Sequence, residues 1–250
     1  MKIAVSGKGG VGKTTISAYL AGSLAAHGRK VLAIDSDPSP HLARVLGFPG
    51  AESVRPIAEM RELLLERSER DGPFYRINPK VDDLPARFML ESGNIRLMVL
   101  GAVREGGAGC ACADNAVLKA LLNILLLSSD EDILVDMEAG LEPLGRGTIA
   151  TMDHLIVVVQ PYAGSLETAR RILSLAQDLE ISGLGVVVNN VKDDDDIAFV
   201  EEGLGMRPVG IFPVSDEIRR AERSHSPVFC VSDRFKQAAE DLLRALGALP

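Results

Sequence analysis

Residues 7–14 read Gly7-Lys8-Gly9-Gly10-Val11-Gly12-Lys13-Thr14 and fit the pattern G-x-x-x-x-G-K-[ST]. Glycines at this spacing let the backbone N–H groups of a loop turn inward toward phosphate oxygens. The apolar run Lys2–Val5 precedes the loop and a segment of helical periodicity follows it, so we predict a strand, a phosphate-binding loop and a helix. Lys13 would place its charge on the β- and γ-phosphates of a nucleotide, and the Thr14 hydroxyl would ligate Mg²⁺. A glycine-rich turn that binds nothing is the alternative.

Short runs of Val, Ile and Leu recur along the chain. They are Lys2–Val5, Val31–Ile34, Ile95–Leu100, Ile133–Val135, Leu155–Val159, Gly185–Val188 and Pro208–Ile211. Most are continuous rather than alternating, as in strands covered on both faces, and helical patterns separate several of them. We predict an α/β fold of the P-loop NTPase type, with a doubly wound, mostly parallel sheet and helices on both faces. One domain would span residues 1–250, with an irregular insertion around residues 38–94 that holds one or two helices, such as Ile57–Arg67.

The composition excludes several classes of protein. Of the 250 residues, 46% are apolar and 25% are charged, which is typical of a globular chain rather than a disordered one. The net charge of −8 argues against nucleic acid or an anionic membrane surface as a partner. Three cysteines make no disulfide framework and indicate a reducing compartment. No apolar run approaches the roughly 18 residues that span a bilayer, so we predict a cytoplasmic protein.

Carboxylates follow two of the predicted strands. Val31–Ile34 leads into Asp35 and Asp37, and Ile133–Val135 leads into Asp136. The carboxyl ends of parallel strands lie at one edge of a sheet, where ligands bind. We therefore expect these three aspartates to lie near the phosphate loop.

A second lysine, Lys8, stands inside the loop and would crowd Lys13 unless it points elsewhere. Lys8–Thr15 matches K-G-G-x-G-K-T-[ST] at every fixed position, and here the sequence resembles the deviant Walker A family, which includes the nitrogenase iron protein and the ParA and MinD ATPases. The resemblance implies an ATPase in which Lys8 reaches across a dimer interface to the partner's nucleotide. A solvated loop lysine is the alternative.

The same resemblance implies roles for other residues in binding and hydrolysing ATP. Asp37 would orient the attacking water and, with Lys8 and Lys13, form the catalytic group, while Asp35 and Asp136 would join Thr14 around Mg²⁺. The ATP or ADP phosphates would be held by Gly9, Gly10, Val11, Gly12, Lys13, Thr14 and Thr15. Adenine would lie against Asn189 and Pro213. Asn190 stands where the family often has Lys or Arg, so it departs from the pattern.

Cys110 and Cys112 form a Cys-x-Cys pair among glycines. Two thiolates this close can ligate one soft metal ion but fill only half of a tetrahedral site, so a second protomer would supply the other half. A redox-active pair and two incidental cysteines are the alternatives. The third cysteine, Cys230, lies in an apolar run, and we predict a buried structural thiol.

Within the family, the Cys-x-Cys pair followed by Asp114-Asn115 is discriminating. Together with Val135–Glu142 and Gly145–Thr148 it closely resembles the CooC-type nickel-insertion ATPases that mature carbon monoxide dehydrogenase. The resemblance implies a homodimeric metallochaperone that uses ATP, with Mg²⁺, to deliver Ni²⁺ to carbon monoxide dehydrogenase, although thiolates also bind Zn²⁺. The alternatives are an iron–sulfur reductase or carrier ATPase and a positioning ATPase like ParA or MinD.

Overall fold

A computed structural model describes residues 1–68, 70–71, 74–75, 79–102, 111–127, 130–141, 148, 151–181 and 183–250. The strands are β1 (Lys2–Gly7), β2 (Val31–Ser36), β3 (Arg70–Asp71), β4 (Phe74–Tyr75), β5 (Leu90–Ser92), β6 (Ile95–Val99), β7 (Asp132–Met137), β8 (His154–Val159), β9 (Leu184–Val191) and β10 (Gly210–Pro213). The helices are α1 (Lys13–Ala26), α2 (Leu42–Val45), α3 (Arg61–Arg67), α4 (Leu84–Phe88), α5 (Ala111–Leu127), α6 (Ala163–Asp178), α7 (Asp194–Leu204), α8 (Asp216–Arg223) and α9 (Asp233–Ala245). None of these helices is both long and apolar enough to cross a membrane.

The main sheet has eight strands in the order β10-β9-β8-β1-β7-β2-β6-β5. Every neighbouring pair is parallel except β5 and β6, which are antiparallel. This confirms the predicted α/β fold, and each of the seven predicted strands is present. Because β1, β7 and β2 are adjacent, the loop after β1 and the aspartates at the ends of β2 and β7 lie at one edge of the sheet.

The apolar core forms a layer on each face of the sheet. In β1, Ala4 packs into one layer while Ile3 and Val5 pack into the other, and all three are buried. Since neighbouring residues of a strand point to opposite faces, a strand that is covered on both faces is apolar along most of its length. That is why the strands read as continuous apolar runs.

The insertion at residues 38–94 differs from its prediction in detail. The predicted helix Ile57–Arg67 is divided into a 3₁₀ turn, Ile57–Glu59, and α3, because Met60 between them has non-helical dihedral angles of φ −86° and ψ 70°. The insertion also contributes β5, which pairs with β6 at the sheet edge. The three residues of β5 are too few and too polar to signal a strand in the sequence.

Candidate nucleotide site

The loop between β1 and α1 is built as a cradle of backbone groups. Gly12 precedes α1 with a left-handed φ of 94°, and a Cβ there would lie 2.2 Å from the Nδ2 atom of Asn189. Val11 N–H donates to the Lys8 carbonyl at 3.3 Å, which closes the turn. No side chain of the described residues caps the start of α1, so its first N–H groups remain available to an anion.

Lys13 is the cation of the loop. Its side chain is 6% exposed, and its Nζ lies 3.7 Å from Oδ2 of Asp37 and 3.5 Å from the Lys8 carbonyl oxygen. The other carboxylate oxygen of Asp37 accepts a hydrogen bond from the Ser39 N–H at 2.9 Å. Asp37 is 21% exposed, so water can reach a carboxylate whose orientation is fixed at both oxygens.

Asp35 and Asp136 face each other on neighbouring strands, at the same register of β2 and β7. Both are fully buried. Burial raises the pKa of Asp35 to about 6 and that of Asp136 to about 7, and the negative charge of Asp35 raises the pKa of Asp136 further. Asp35 is satisfied by the N–H groups of Asp37 at 3.2 Å and Leu42 at 2.9 Å. Two buried carboxylates on neighbouring residues of adjacent strands would be stabilised in their charged form by a bound cation.

The donor set around Asp136 fits Mg²⁺. One oxygen of Asp136 accepts a hydrogen bond from the Ser17 hydroxyl at 3.1 Å, and the other, although buried, has no partner among the described residues. The Thr14 hydroxyl and the Lys13 charge both lower the pKa of Asp136. Carboxylate and hydroxyl oxygens are ligands that this hard cation prefers. When bound, Mg²⁺ would neutralise charge on the nucleotide's phosphates.

Asp136→Asn is expected to stabilise the Mg²⁺-free chain at high pH by about 4 kcal/mol, which corresponds to a pKa raised by about three units. Because the pKa of Asp136 is raised from 3.8 to about 7, wild-type stability is greatest below the lower value and is lost as the pH rises through the upper one. The variant should lack this loss, and it should also lack the part of ADP stabilisation that depends on Mg²⁺. Urea unfolding at pH 4 and pH 8, with EDTA or with Mg²⁺ and ADP, measures both effects. Equal stability of variant and wild type at pH 8 would contradict a buried charge.

Asn189 lies two residues before the end of β9, and Pro213 ends the adjacent strand β10. The Asn189 Nδ2 donates to the Val11 carbonyl at 2.7 Å, and its Oδ1 accepts from the Asn190 N–H at 2.9 Å. Pro213 pairs in register with Val191. The structure therefore places Asn189 against the phosphate loop, a contact that sequence reasoning missed. Adenine contacts for both residues remain predictions.

Lys8 bends over its own chain. Its Nζ lies 5.3 Å from the centroid of the Tyr162 ring, just before α6. On the same segment, the Gln160 Nε2 donates to the Gly10 carbonyl at 3.5 Å. Sequence reasoning missed Tyr162 and also Ser17. Ser17 had a usable signal, since it lies four residues after Lys13 and thus on the same face of α1.

The cysteine predictions have two outcomes. Cys110 lies outside the described residues, and Cys112 is described only as a backbone position in the first turn of α5, so the structure leaves the metal site as a prediction. The prediction of a buried Cys230 is wrong, because that side chain is exposed at a left-handed φ of 72°. Of its apolar run, Val228 is buried, and the turn at Cys230 carries the thiol outward.

A strand, a glycine-rich loop ending in a buried lysine, and two buried aspartates beside it define a P-loop ATPase. The profile of the CobQ/CobB/MinD/ParA nucleotide-binding domain matches residues 2–228, and the chain belongs to this family.

Similar proteins cover almost the whole chain. An uncharacterized ATP-binding protein of Methanocaldococcus jannaschii is 41% identical over 95% of this chain and 94% of its own length. The carbon monoxide dehydrogenase accessory protein CooC of Rhodospirillum rubrum is 38% identical over 98% of this chain and 96% of its own. Among solved structures, MinD in the MinC:MinD complex of Aquifex aeolicus superposes with a TM-score of 0.70 at 21% identity, covering 100% of this chain and 96% of that chain. The last likeness concerns the fold alone.

Proposed function

We propose that this ATPase is a metallochaperone for the maturation of carbon monoxide dehydrogenase, with Ni²⁺ as its cargo. The observation that carries the proposal is the 38% identity to CooC over 98% of the chain. The Cys-x-Cys pair supports it, since it adds a metal-binding chemistry that nucleotide hydrolysis does not need. The cytoplasmic location remains a prediction.

The nucleotide site would act through charged and polar groups that are already positioned before the nucleotide binds. Lys13 and the loop N–H groups bind the phosphates, and Asp37 orients the attacking water from the exposed side of the site. Thr14, Asp35 and Asp136 would hold Mg²⁺. The Lys8 side chain would extend away from its own protomer and contact the nucleotide of a second protomer. ATP binding would then favour a closed dimer, and hydrolysis would allow that dimer to open.

The cargo site would be shared by the two protomers. Each chain offers the thiolates of Cys110 and Cys112, and four thiolates complete a tetrahedral site. A metal ion that binds the dimer better than the monomer stabilises the dimer. ATP binding and metal binding would therefore each favour the closed dimer. Carbon monoxide dehydrogenase would be the acceptor of the metal.

The stoichiometry of metal binding tests this function. We expect one Ni²⁺ or Zn²⁺ per dimer, bound together with a doubling of the mass in solution and weakened at low pH, where protons compete for the thiolates. Titration of the metal-free chain, followed by mass spectrometry and light scattering, measures both quantities. Cys112→Ser should lose tight binding and metal-driven dimerisation while it still binds ATP.

Cys230→Ser is the matched control, since it removes an exposed thiol elsewhere in the chain and should change neither quantity. One ion held tightly by each monomer would contradict a shared site. A brown protein containing iron and sulfide would instead favour an iron–sulfur reductase or carrier. Metal-independent cycling on DNA or membrane would favour a positioning ATPase.

A further inference from the structure

The Lys8 side chain lies against an aromatic ring of its own chain. Its Nζ lies over the ring of Tyr162, 5.3 Å from the centroid, within the distance of about 6 Å at which an aromatic face attracts a cation. Tyr162 is the residue that precedes α6, and it is 39% exposed. The ammonium therefore lies at the rim of the site, on its own chain.

Gly164 makes room for this ammonium. A Cβ at Gly164 would lie 2.8 Å from Nζ of Lys8 and 3.8 Å from the Tyr162 ring. Gly164 lies in the first turn of α6, where its backbone is not left-handed, so the conformation alone does not demand glycine. A methyl group there would have to displace the flexible end of the Lys8 side chain.

The start of α6 does not itself attract a cation. The first turn of a helix carries partial positive charge, which repels Lys8. The Tyr162 ring supplies the attraction that offsets this repulsion. On the other side of the loop, Gln160 reaches the Gly10 carbonyl, so residues 160–164 contact the loop at two points.

We propose that Tyr162 is a positioning residue for Lys8, which holds the ammonium on its own chain until ATP draws it to the partner. This inference rests on the proposed function, in which Lys8 crosses the dimer interface. When Lys8 reaches the partner's nucleotide it must give up the Tyr162 ring, so the contact favours the open state. The Tyr162 ring therefore sets how much ATP, and how much protein, is needed to close the dimer.

Tyr162→Leu removes the aromatic face and keeps an apolar side chain of moderate size. An exposed cation–π contact corresponds to a factor of about two to five in an equilibrium constant. Two such contacts are broken in each dimer, so the dimer should form at roughly four- to twenty-five-fold lower protein concentration. Tyr162→Phe keeps the ring and should behave as the wild type.

Gly164→Ala is an independent variant that removes no contact group. Its methyl would displace the flexible end of Lys8, so dimerisation should also strengthen. Sedimentation of the full chain with Mg²⁺ and a non-hydrolysable ATP analogue measures the dimerisation constant. In a Lys8→Ala background, where ATP should no longer drive dimerisation, Tyr162→Leu should not restore it, whereas a ring that acts on the interface independently of Lys8 would still strengthen dimerisation.

A second readout tests the contact without nucleotide. The ε-methylene protons of Lys8 should show an upfield ring-current shift in the nucleotide-free chain that is lost in Tyr162→Leu. Absence of that shift, or unchanged or weaker dimerisation of Tyr162→Leu, would overturn the inference. If Lys8→Ala alone leaves ATP-driven dimerisation intact, Lys8 does not act across the interface. The proposed competition between Tyr162 and the partner's nucleotide for Lys8 is then also wrong. In that case the NMR shift still reports whether the contact itself exists.

Discussion

Lys13→Ala is expected to abolish ATP hydrolysis, with kcat/KM for ATP falling by about 10³-fold or more. Lys13 is 6% exposed, so in the proposed site its charge would act on the phosphates where most water is excluded. A loop of backbone N–H groups remains in the variant, but it has no full charge to offset the β- and γ-phosphates. Binding of ATP should therefore weaken together with turnover.

Calorimetric titration with ATP and a phosphate-release assay measure the two effects of Lys13→Ala. Lys30→Ala is the matched control, since Lys30 is an exposed lysine just before β2, at the opposite end of the strands. Both quantities should stay at the wild-type level in that control. Near wild-type ATP affinity in Lys13→Ala would show that the loop is not the phosphate site.

Much of the fold was predictable because a strand that is buried on both faces has a continuous apolar sequence. A strand such as Val31–Ile34 has no polar position and can lie only inside a covered sheet. The apolar sequences of the strands do not determine the order of the strands in the sheet. That β7 lies between β1 and β2 comes from long-range packing, and it is this adjacency that sets Asp136 opposite Asp35.

The site was predictable where a motif fixes the chemistry and unpredictable where packing supplies the partner. The glycine and lysine spacing identifies Lys13 and Thr14, whereas the contact of Asn189 with the Val11 carbonyl joins residues 178 positions apart. Tyr162 had no pattern to mark it, because only the three-dimensional approach of α6 brings it to Lys8. Cys230 was misjudged because an apolar neighbourhood in sequence does not determine the direction of a turn.

Asp37→Asn is expected to lower kcat for ATP hydrolysis by about 10²- to 10⁴-fold while ATP still binds. Asp37 differs from Asp35 in its surroundings, since it is partly exposed and only 3.7 Å from Lys13, whereas Asp35 is buried and bound by two backbone N–H groups. Asparagine has the same shape and can still accept the hydrogen bond from Ser39, so the turn should persist. What it loses is the negative charge that, in the proposed mechanism, orients the attacking water.

The variant should therefore remain in the ATP-bound state, and if ATP closes the dimer, a stable dimer should accumulate. Single-turnover hydrolysis and light scattering with Mg²⁺ and ATP measure the two consequences. Asp35→Asn provides the contrast, because it should raise the Mg²⁺ concentration needed for half-maximal turnover, whereas Asp37→Asn should not. Since the two carboxylates lie two residues apart at the end of one strand, opposite responses would assign water activation to Asp37 and the metal shell to Asp35. A fully active Asp37→Asn would remove that residue from hydrolysis.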